Sequence, residues 1–277
     1  MSGPIKTIVY SCTFADYDYT FGPLARTPNA SFLRFGDTSP NRWRIWNHLA
    51  VPDEKIKLSQ TLTNRWFKLF PHDVLTPCDV AIYVDGNILV RADLTPLIEE
   101  FYASGADIAL FPHPSGRTVA KEIDFAFGSR IPLKDQPIAK TQRDRYNQLD
   151  ILDTPITENT ILFYRMDSPK VAQIGELWWD ELQSYTKRDQ ISLPYVIHSV
   201  RPKIHFWDFH FHDPSDENIY FQRTGHRRGT WFQQLKQKSF FLKDYAPQYR
   251  LVFAALKAGG VITKLPYKML NRFKRTN

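Results

Sequence analysis

The sequence predicts an α/β layered sheet, and three observations lead to that class. Short β-branched runs alternate with helical patterns through the first 226 of 277 residues. Hydrophobic residues make up 43% and aromatic residues 14% of the chain, enough to fill a sizeable core and to exclude global disorder. No internal repeat or low-complexity linker interrupts the pattern, and the one clear composition break falls near residue 227. The expected division is therefore a body over 1–226 and a basic extension over 227–277.

The elements follow in order. KTIVYSC (6–12) is short and β-branched, a first strand. SQTLTNRWFKLF (59–70) starts on a serine and stops before Pro71, which reads as a helix. DVAIYVD (79–85) is a second strand. Residues 94–105 form the clearest helix, with Thr95 as N-cap, Pro96 in the first turn and Gly105 as terminator. A strand over 106–111, a helix over 118–128 and a strand over 160–165 come next. Ser168-Pro169 opens a helix along which Val171, Ile174, Trp178, Leu182 and Tyr185 recur at helical spacing, so Trp178 is expected in the core. A helix over 190–200 and a last strand over 203–209 complete the body.

The formal net charge of +7 is uneven. From Arg227 onward there are twelve Lys or Arg against one acid, Asp244, a local balance of +11, and the remainder carries 24 basic and 28 acidic residues, or −4. Aromatic residues such as Trp231, Phe232, Phe240, Phe253 and Phe273 interleave with these cations. That mixture suits an anionic membrane surface. The competing reading is a terminal helical subdomain whose aromatics pack on the body. Nucleic acid is not expected, since no nucleic-acid motif accompanies the basic residues. Cys12 and Cys78 lack metal-ligand spacing and favour a reducing compartment. The N-terminus lacks the profile of a signal peptide, and the longest apolar stretch near the C-terminus is 13 residues, too short to span a bilayer. A cytoplasmic protein, peripheral on the inner face of a membrane, is expected.

Between two apolar runs stands Asp85-Gly86-Asn87. In open α/β sheets ligands sit beyond the carboxyl ends of strands, where these residues fall. Gly86 permits a tight turn, and the oxygen-bearing side chains at i and i+2 can reach a common point. A hard cation, Mn²⁺ or Mg²⁺, bridging phosphates suits that point. A plain turn is the alternative, since Asp, Gly and Asn are common turn formers. Arg65 and Lys68 share a helical face that could neutralise a diphosphate or simply meet solvent. Asp189 and Gln190 can hydrogen-bond sugar hydroxyls with Arg188 orienting the carboxylate, and Asp189 can equally cap its helix. His205, His210 and His212 lie close in sequence, and His210 and His212 alternate as on a strand, although spacing alone is weak grounds for a metal site.

YVDGNILVRADLTPL resembles the Asp-x-Asp segment of the retaining family-8 glycosyltransferases, with Asn87 in place of the second aspartate. HRRGTW (226–231) resembles the His-x-x-Gly segment of the same enzymes, whose histidine completes a metal shell. A metal set of Asp85, Asn87 and His226, with His212 as substitute, is what this resemblance implies. A broader resemblance, over roughly residues 7–200, is to a widespread set of plant and microbial glycosyltransferase-like proteins. It is carried by CTFADYD (12–18), KLFPH (68–72), YVDGN, FPHPSGRTVAKEI (111–123), ITENTILFYR (156–165) and YTKRDQISLPYV (185–196). The last is the most specific, because many positions agree in one short window. The resemblance implies a GT-A-type nucleotide-sugar-binding fold, a single Rossmann-like mixed sheet flanked by helices. It places Thr13, Tyr17, Arg65, Lys68, His72, Asp85, Gly86 and Arg188 at the substrate, and Asp189, Gln190 and Glu158 at the chemistry. The expected function is transfer of a sugar from a nucleotide-diphosphate donor, UDP-linked by preference, to a glycan or lipid-linked acceptor, with retention of configuration if the family-8 likeness holds. The alternatives are a membrane-surface metal-dependent hydrolase built on His205, His210, His212 and Asp213, and a non-catalytic sugar or lipid binder.

Overall fold

The computed structural model describes residues 3–14, 17–19, 21–37, 45–51, 58–211, 219–227, 229–243 and 246–259. Its strands are β1 (Thr7–Thr13), β2 (Ala30–Gly36), β3 (Asn47–Leu49), β4 (Val80–Val84), β5 (Ile88–Val90), β6 (Ile108–Pro112), β7 (Thr157–Arg165), β8 (Ile204–Phe206) and β9 (Phe221–Arg223). Its helices are α1 (Gln60–Leu69), α2 (Pro71–Val74), α3 (Thr95–Ser104), α4 (Val119–Ser129), α5 (Gln136–Gln148), α6 (Pro169–Ser184), α7 (Asp189–Val200), α8 (Trp231–Leu242) and α9 (Pro247–Ala258). Seven strands form one mixed sheet in the order β3-β2-β1-β4-β7-β6-β8, and β5 pairs with β9 in a small separate ribbon. Among the described strands of the seven-stranded sheet, β7 alone runs antiparallel to its neighbours, β4 and β6, and the β5–β9 ribbon is antiparallel too. The expected α/β class, with one mixed sheet flanked by helices, is what the structure has.

The central strands read as unbroken apolar runs because helices cover both faces. All five residues of β4 are buried. On one face Val9, Ile82, Val84, Ile161 and Phe163 pack with Leu97, Ile98 and Phe101 of α3 and with Trp207. On the other, Tyr10, Tyr83, Leu162 and Tyr164 pack with Phe67 of α1, Ile174 and Trp178 of α6 and Leu193 of α7. Burying side chains of this size contributes about 1.5–3 kcal/mol each. Trp178 is in the core as expected, its indole N–H donating to Ser192 Oγ at 2.9 Å. A third cluster joins α4, α5 and α7 through Val119, Ile123, Ala139, Tyr146 and Ile191.

Several boundaries differ from the sequence reading. Thr95 is not the cap of α3. The helix begins at Thr95 itself, and the Asp93 carboxylate accepts from its backbone N–H at 2.9 Å and its hydroxyl at 2.7 Å. Asp189 does not cap α7 either, because it is the first helical residue and its carboxylate is used elsewhere. Strand β7 begins at Thr157, earlier than residue 160, and only Ile204–Phe206 of the expected 203–209 strand pairs. Ser59, Thr118 and Ser168 do cap their helices, and Gly105 ends α3 in the left-handed region at φ 66°.

The composition break near residue 227 is not a break in packing. Thr230 and Gln233 form a capping box that starts α8, and Phe241 packs with Tyr19, Phe21 and Leu89 of the body. Helix α9 lies against α8 with no buried residue of its own. The remainder of the basic extension, 260–277, falls outside the described residues. Among the described residues, no helix is long and apolar enough to cross a membrane.

Candidate active site

Because β1, β2, β4 and β6 run parallel, their carboxyl ends open on one edge of the sheet, and the start of antiparallel β7 lies there too. Thr13, Asp85, His113 and Thr157–Asn159 therefore share one rim, the location where open α/β sheets bind ligands. Asp85 is fixed by its backbone N–H, which donates to the Thr160 carbonyl at 2.8 Å, and the turn closes with Ile88 N–H on the Asp85 carbonyl at 2.9 Å.

Gly86 is required here by close approach. A Cβ at this position would sit 2.0 Å from Thr13 Cγ2 and 2.8 Å from Asp18 Oδ2. Asp18 Oδ1 is 2.7 Å from Nδ1 of His226, whose ring lies 4.4 Å from that of Tyr17. Arg227 N–H donates to the Tyr17 carbonyl at 2.9 Å, which ties the segment after β9 to the loop after β1. Asn87 is 2% exposed, and its side-chain Oδ1 is a buried acceptor with no partner. Asp18 is a site residue that the sequence reading missed. It closes the CTFADYD segment, and nothing local marks its partner 208 positions away.

The α1 side of the rim is charged. Asn64 Nδ2 donates to the Cys12 carbonyl at 2.8 Å, anchoring α1 to β1, and Tyr83 Oη donates to Asp85 Oδ1 at 2.8 Å. Lys68, fully buried, donates to Asp189 Oδ2 at 2.7 Å, and Arg65 reaches Asp189 Oδ1 at 3.4 Å. Burial pushes the Asp85 carboxyl above its ordinary value, an effect that Lys68 and Arg65 only partly offset. Burial acts the same way on Asp189, but Arg65 and Lys68 outweigh it and hold that carboxyl well below the usual carboxylate range. So the two cations expected to meet a diphosphate are engaged by Asp189, and Lys68 has no exposed surface from which to touch a ligand.

Beyond Asp189 the network continues. Glu122, fully buried, accepts from Arg117 at 2.8 Å through one oxygen and from Arg188 Nη2 at 2.7 Å through the other. The same Arg188 nitrogen donates to Gln190 Oε1 at 2.7 Å. Glu158 is 4% exposed, and its Oε2 lies 3.9 Å from His113 Nε2. The Nε atoms of Arg65 and Arg188 are buried without a partner. Thus Thr13, Tyr17, Arg65, Lys68, Asp85, Gly86, Asn87, Glu158, Arg188, Asp189, Gln190 and His226 share this end of the sheet.

His72 does not. Its Nε2 contacts the Met166 carbonyl at 2.9 Å, just past the end of β7 that pairs with the start of β4, at the opposite edge from Asp85. Two residues of the expected metal set have protein partners. Asp85 faces Tyr83 and α1, while His226 is tied to Asp18, and among the described residues no three His, Cys, Asp or Glu side chains converge. The histidine cluster fares likewise: His205, on edge strand β8, lies 3.2 Å from Glu100 of α3, His210 is exposed, and His212 and Asp213 lie outside the described residues.

Residues 37–226 match the family model TOD1/MUCI70, glycosyltransferase-like domain. Among solved structures, mouse xyloside xylosyltransferase 1 in its apo form is 10% identical, with 74% of this chain and 86% of that chain covered at a TM-score of 0.47. The apo WbbM bifunctional glycosyltransferase is 11% identical, with 73% of this chain but 39% of that chain covered at a TM-score of 0.48. The galactosyltransferase LgtC, in complex with donor and acceptor sugar analogs, is 11% identical, with 78% and 86% covered at a TM-score of 0.42. No curated protein sequence matches. The family model spans more than half of the sequence, so the chain belongs to the TOD1/MUCI70 family and is a glycosyltransferase-like enzyme domain.

Proposed function

We propose that this enzyme transfers a sugar from a nucleotide-diphosphate donor, UDP-linked by preference, to a glycan or lipid-linked acceptor at the carboxyl rim of the sheet. The observation that carries this reading is the meeting of the buried Asp85 turn with the Arg65–Lys68–Asp189 cluster at one rim. Asp85 Oδ1 is engaged by Tyr83, and its other oxygen together with Asn87 Oδ1 offers acceptors to donor hydroxyls. Arg65, whose side chain is 19% exposed, supplies a charge-assisted hydrogen bond to the diphosphate as negative charge develops on it.

Of the two carboxylates expected near the sugar, Asp189 is held by two cations and is a weak base. Its role is to position Gln190. Glu158 is the carboxylate we propose for basic or nucleophilic work, and retention of configuration is the outcome that a nucleophilic Glu158 gives. The anomer of the product, read by NMR, decides between retention and inversion.

The α8–α9 segment is proposed to dock the enzyme on the inner, anionic face of a membrane. Trp231 is 75% and Leu251 is 73% exposed, and the described residues of 229–243 and 246–259 contain cations and no acid. Co-sedimentation with anionic rather than neutral vesicles at low salt checks this, and equal partition into both removes the membrane from the reading.

The transfer reading is tested by thermal unfolding with UDP- and GDP-sugars, each with and without Mn²⁺. A ligand present at a hundred times its Kd stabilises the native state by about 2.7 kcal/mol. A shift with at least one nucleotide sugar is expected. No shift with any of them, in either condition, contradicts the reading.

A further inference from the structure

We infer that Glu122 is a positioning residue that sets how the enzyme reads its donor sugar: through Arg188 it fixes Gln190 so that the amide nitrogen, not the oxygen, faces the sugar. This deepens the transferase reading and depends on it. The geometry runs in one line. Thr118 caps α4, which turns Glu122 inward beside Val119, Ile123 and Ala126, where it is 0% exposed. Arg117 closes on one carboxylate oxygen at 2.8 Å while its guanidinium lies 4.3 Å from the Phe125 ring, so that side of the clamp is held in two directions. Arg188 closes on the other oxygen at 2.7 Å and, from the same nitrogen, donates to Gln190 at 2.7 Å.

A guanidinium has only donors, so the Gln190 atom facing it must be Oε1. The amide NH₂ then points away from Arg188, and Gln190 at the first turn of α7 offers two N–H donors. Such a group reads an oxygen that accepts: a hydroxyl or ring oxygen of the sugar. Without Glu122, Arg188 keeps its charge but loses the contact that fixes its direction, and Gln190 loses its defined face. A buried carboxylate serving only to hold α4 against α7 would change stability and leave sugar discrimination alone.

The test measures two affinities by calorimetry for each protein: UDP, and whichever of UDP-glucose, UDP-galactose and UDP-xylose the wild type binds most tightly. Their ratio isolates the sugar from the nucleotide. Glu122→Gln and Gln190→Ala are each expected to lower the preference for the UDP-sugar over UDP by about tenfold, the size of one hydrogen bond to a charged or oriented group, with little change for UDP. The double variant is expected to lose no more than either single one, because both changes remove the same contact. Wild-type preference in Glu122→Gln, or losses that multiply in the double variant, overturns the inference. If Glu122→Gln shows no cooperative melt, Arg188→Lys replaces it, since a lysine cannot bridge Glu122 and Gln190 with one planar group. The same selective loss is then expected, and unchanged preference overturns the inference. A wild type that binds none of these UDP-sugars sinks the UDP preference, and the inference with it. A wild type that binds them while the variants keep its preference sinks only the role of Glu122.

Discussion

On the α1 side of the Asp85 turn, charge is answered by charge: Lys68 and Arg65 close on Asp189, and Arg117 and Arg188 close on Glu122. On the Thr13 side, the turn is held by contact instead, with Gly86 against Thr13 and Asp18 and the Asp18–His226 bond across the top. Buried ion pairs are costly to assemble and cost more to half-remove, so the α1 side is set before any ligand arrives. The Thr13 side is held by fewer charges, and its unpaired acceptor at Asn87 can take a new partner. A binding rim with one preset wall and one receptive wall is the lesson of the comparison.

The strongest way to break it is Lys68→Met. Asp189 keeps only Arg65, at 3.4 Å, and a buried carboxylate is left short of a partner. The expected loss is about 3–5 kcal/mol of stability, seen as a lower midpoint in urea unfolding. On the receptive wall, Gly86→Ala is expected to cost less, about 1–3 kcal/mol, because Thr13 and Asp18 must shift to admit a Cβ. Donor affinity should fall with it, since the same shift moves the Asp85 turn. Asp18→Asn keeps the shape and removes only the charge facing His226. It is expected to lower stability by about 1 kcal/mol, measured by the same unfolding curves.

Acid separates the two carboxylates. Asp189 is depressed in the folded protein, so its stabilisation is present above the ordinary value of 3.8 and is lost as pH falls below it. Asp85 is raised, so it takes up a proton at a pH above 3.8, before that stabilisation begins to fade. Donor affinity should therefore drop on acidification while the fold remains intact. Affinity and unfolding midpoint measured over the same pH series check the order, and a simultaneous loss of both contradicts it.

The sheet was legible where one strand's own residues decide its fate. DVAIYVD is apolar throughout because both faces are covered, and the turn after it falls at a strand end for any register. Ser59 and Ser168 were legible as helix starts because a cap is a local bond. Strand β2 was not, because ASFLRFG carries Arg34 in mid-strand, and only the tertiary partner Thr13 Oγ1, at 2.7 Å, makes that arginine a buried residue. Helix α5 was missed because it is mostly polar and buries only Ala139, Gln142 and Tyr146.

The site divides in the same way. Asp85, Asn87, Asp189 and Gln190 stood out as polar groups in apolar surroundings. Lys68 read as a helical cation facing either a diphosphate or solvent, and only the fold shows it sealed under Asp189. Glu122 lay inside the FPHPSGRTVAKEI segment, but its clamp was not legible there, since Arg188 arrives from another part of the chain. His72 matched a segment pattern, but α2 carries it to the wrong edge of the sheet.

The account centres on Asp85 as the group that meets the donor at the carboxyl rim. The most direct test is the rate of sugar transfer, or of nucleotide-sugar hydrolysis, by Asp85→Asn beside the wild type, with thermal unfolding of both. Asparagine keeps an oxygen for Tyr83 and removes the charge whose burial raises the Asp85 pKa, so an unchanged or slightly higher melting temperature is expected. The predicted rate is lower by about a hundredfold or more, the scale on which a single oriented group at a reacting centre acts. A variant that melts like the wild type and turns over at the wild-type rate would contradict the assignment of Asp85, and with it the placing of the active site at this rim.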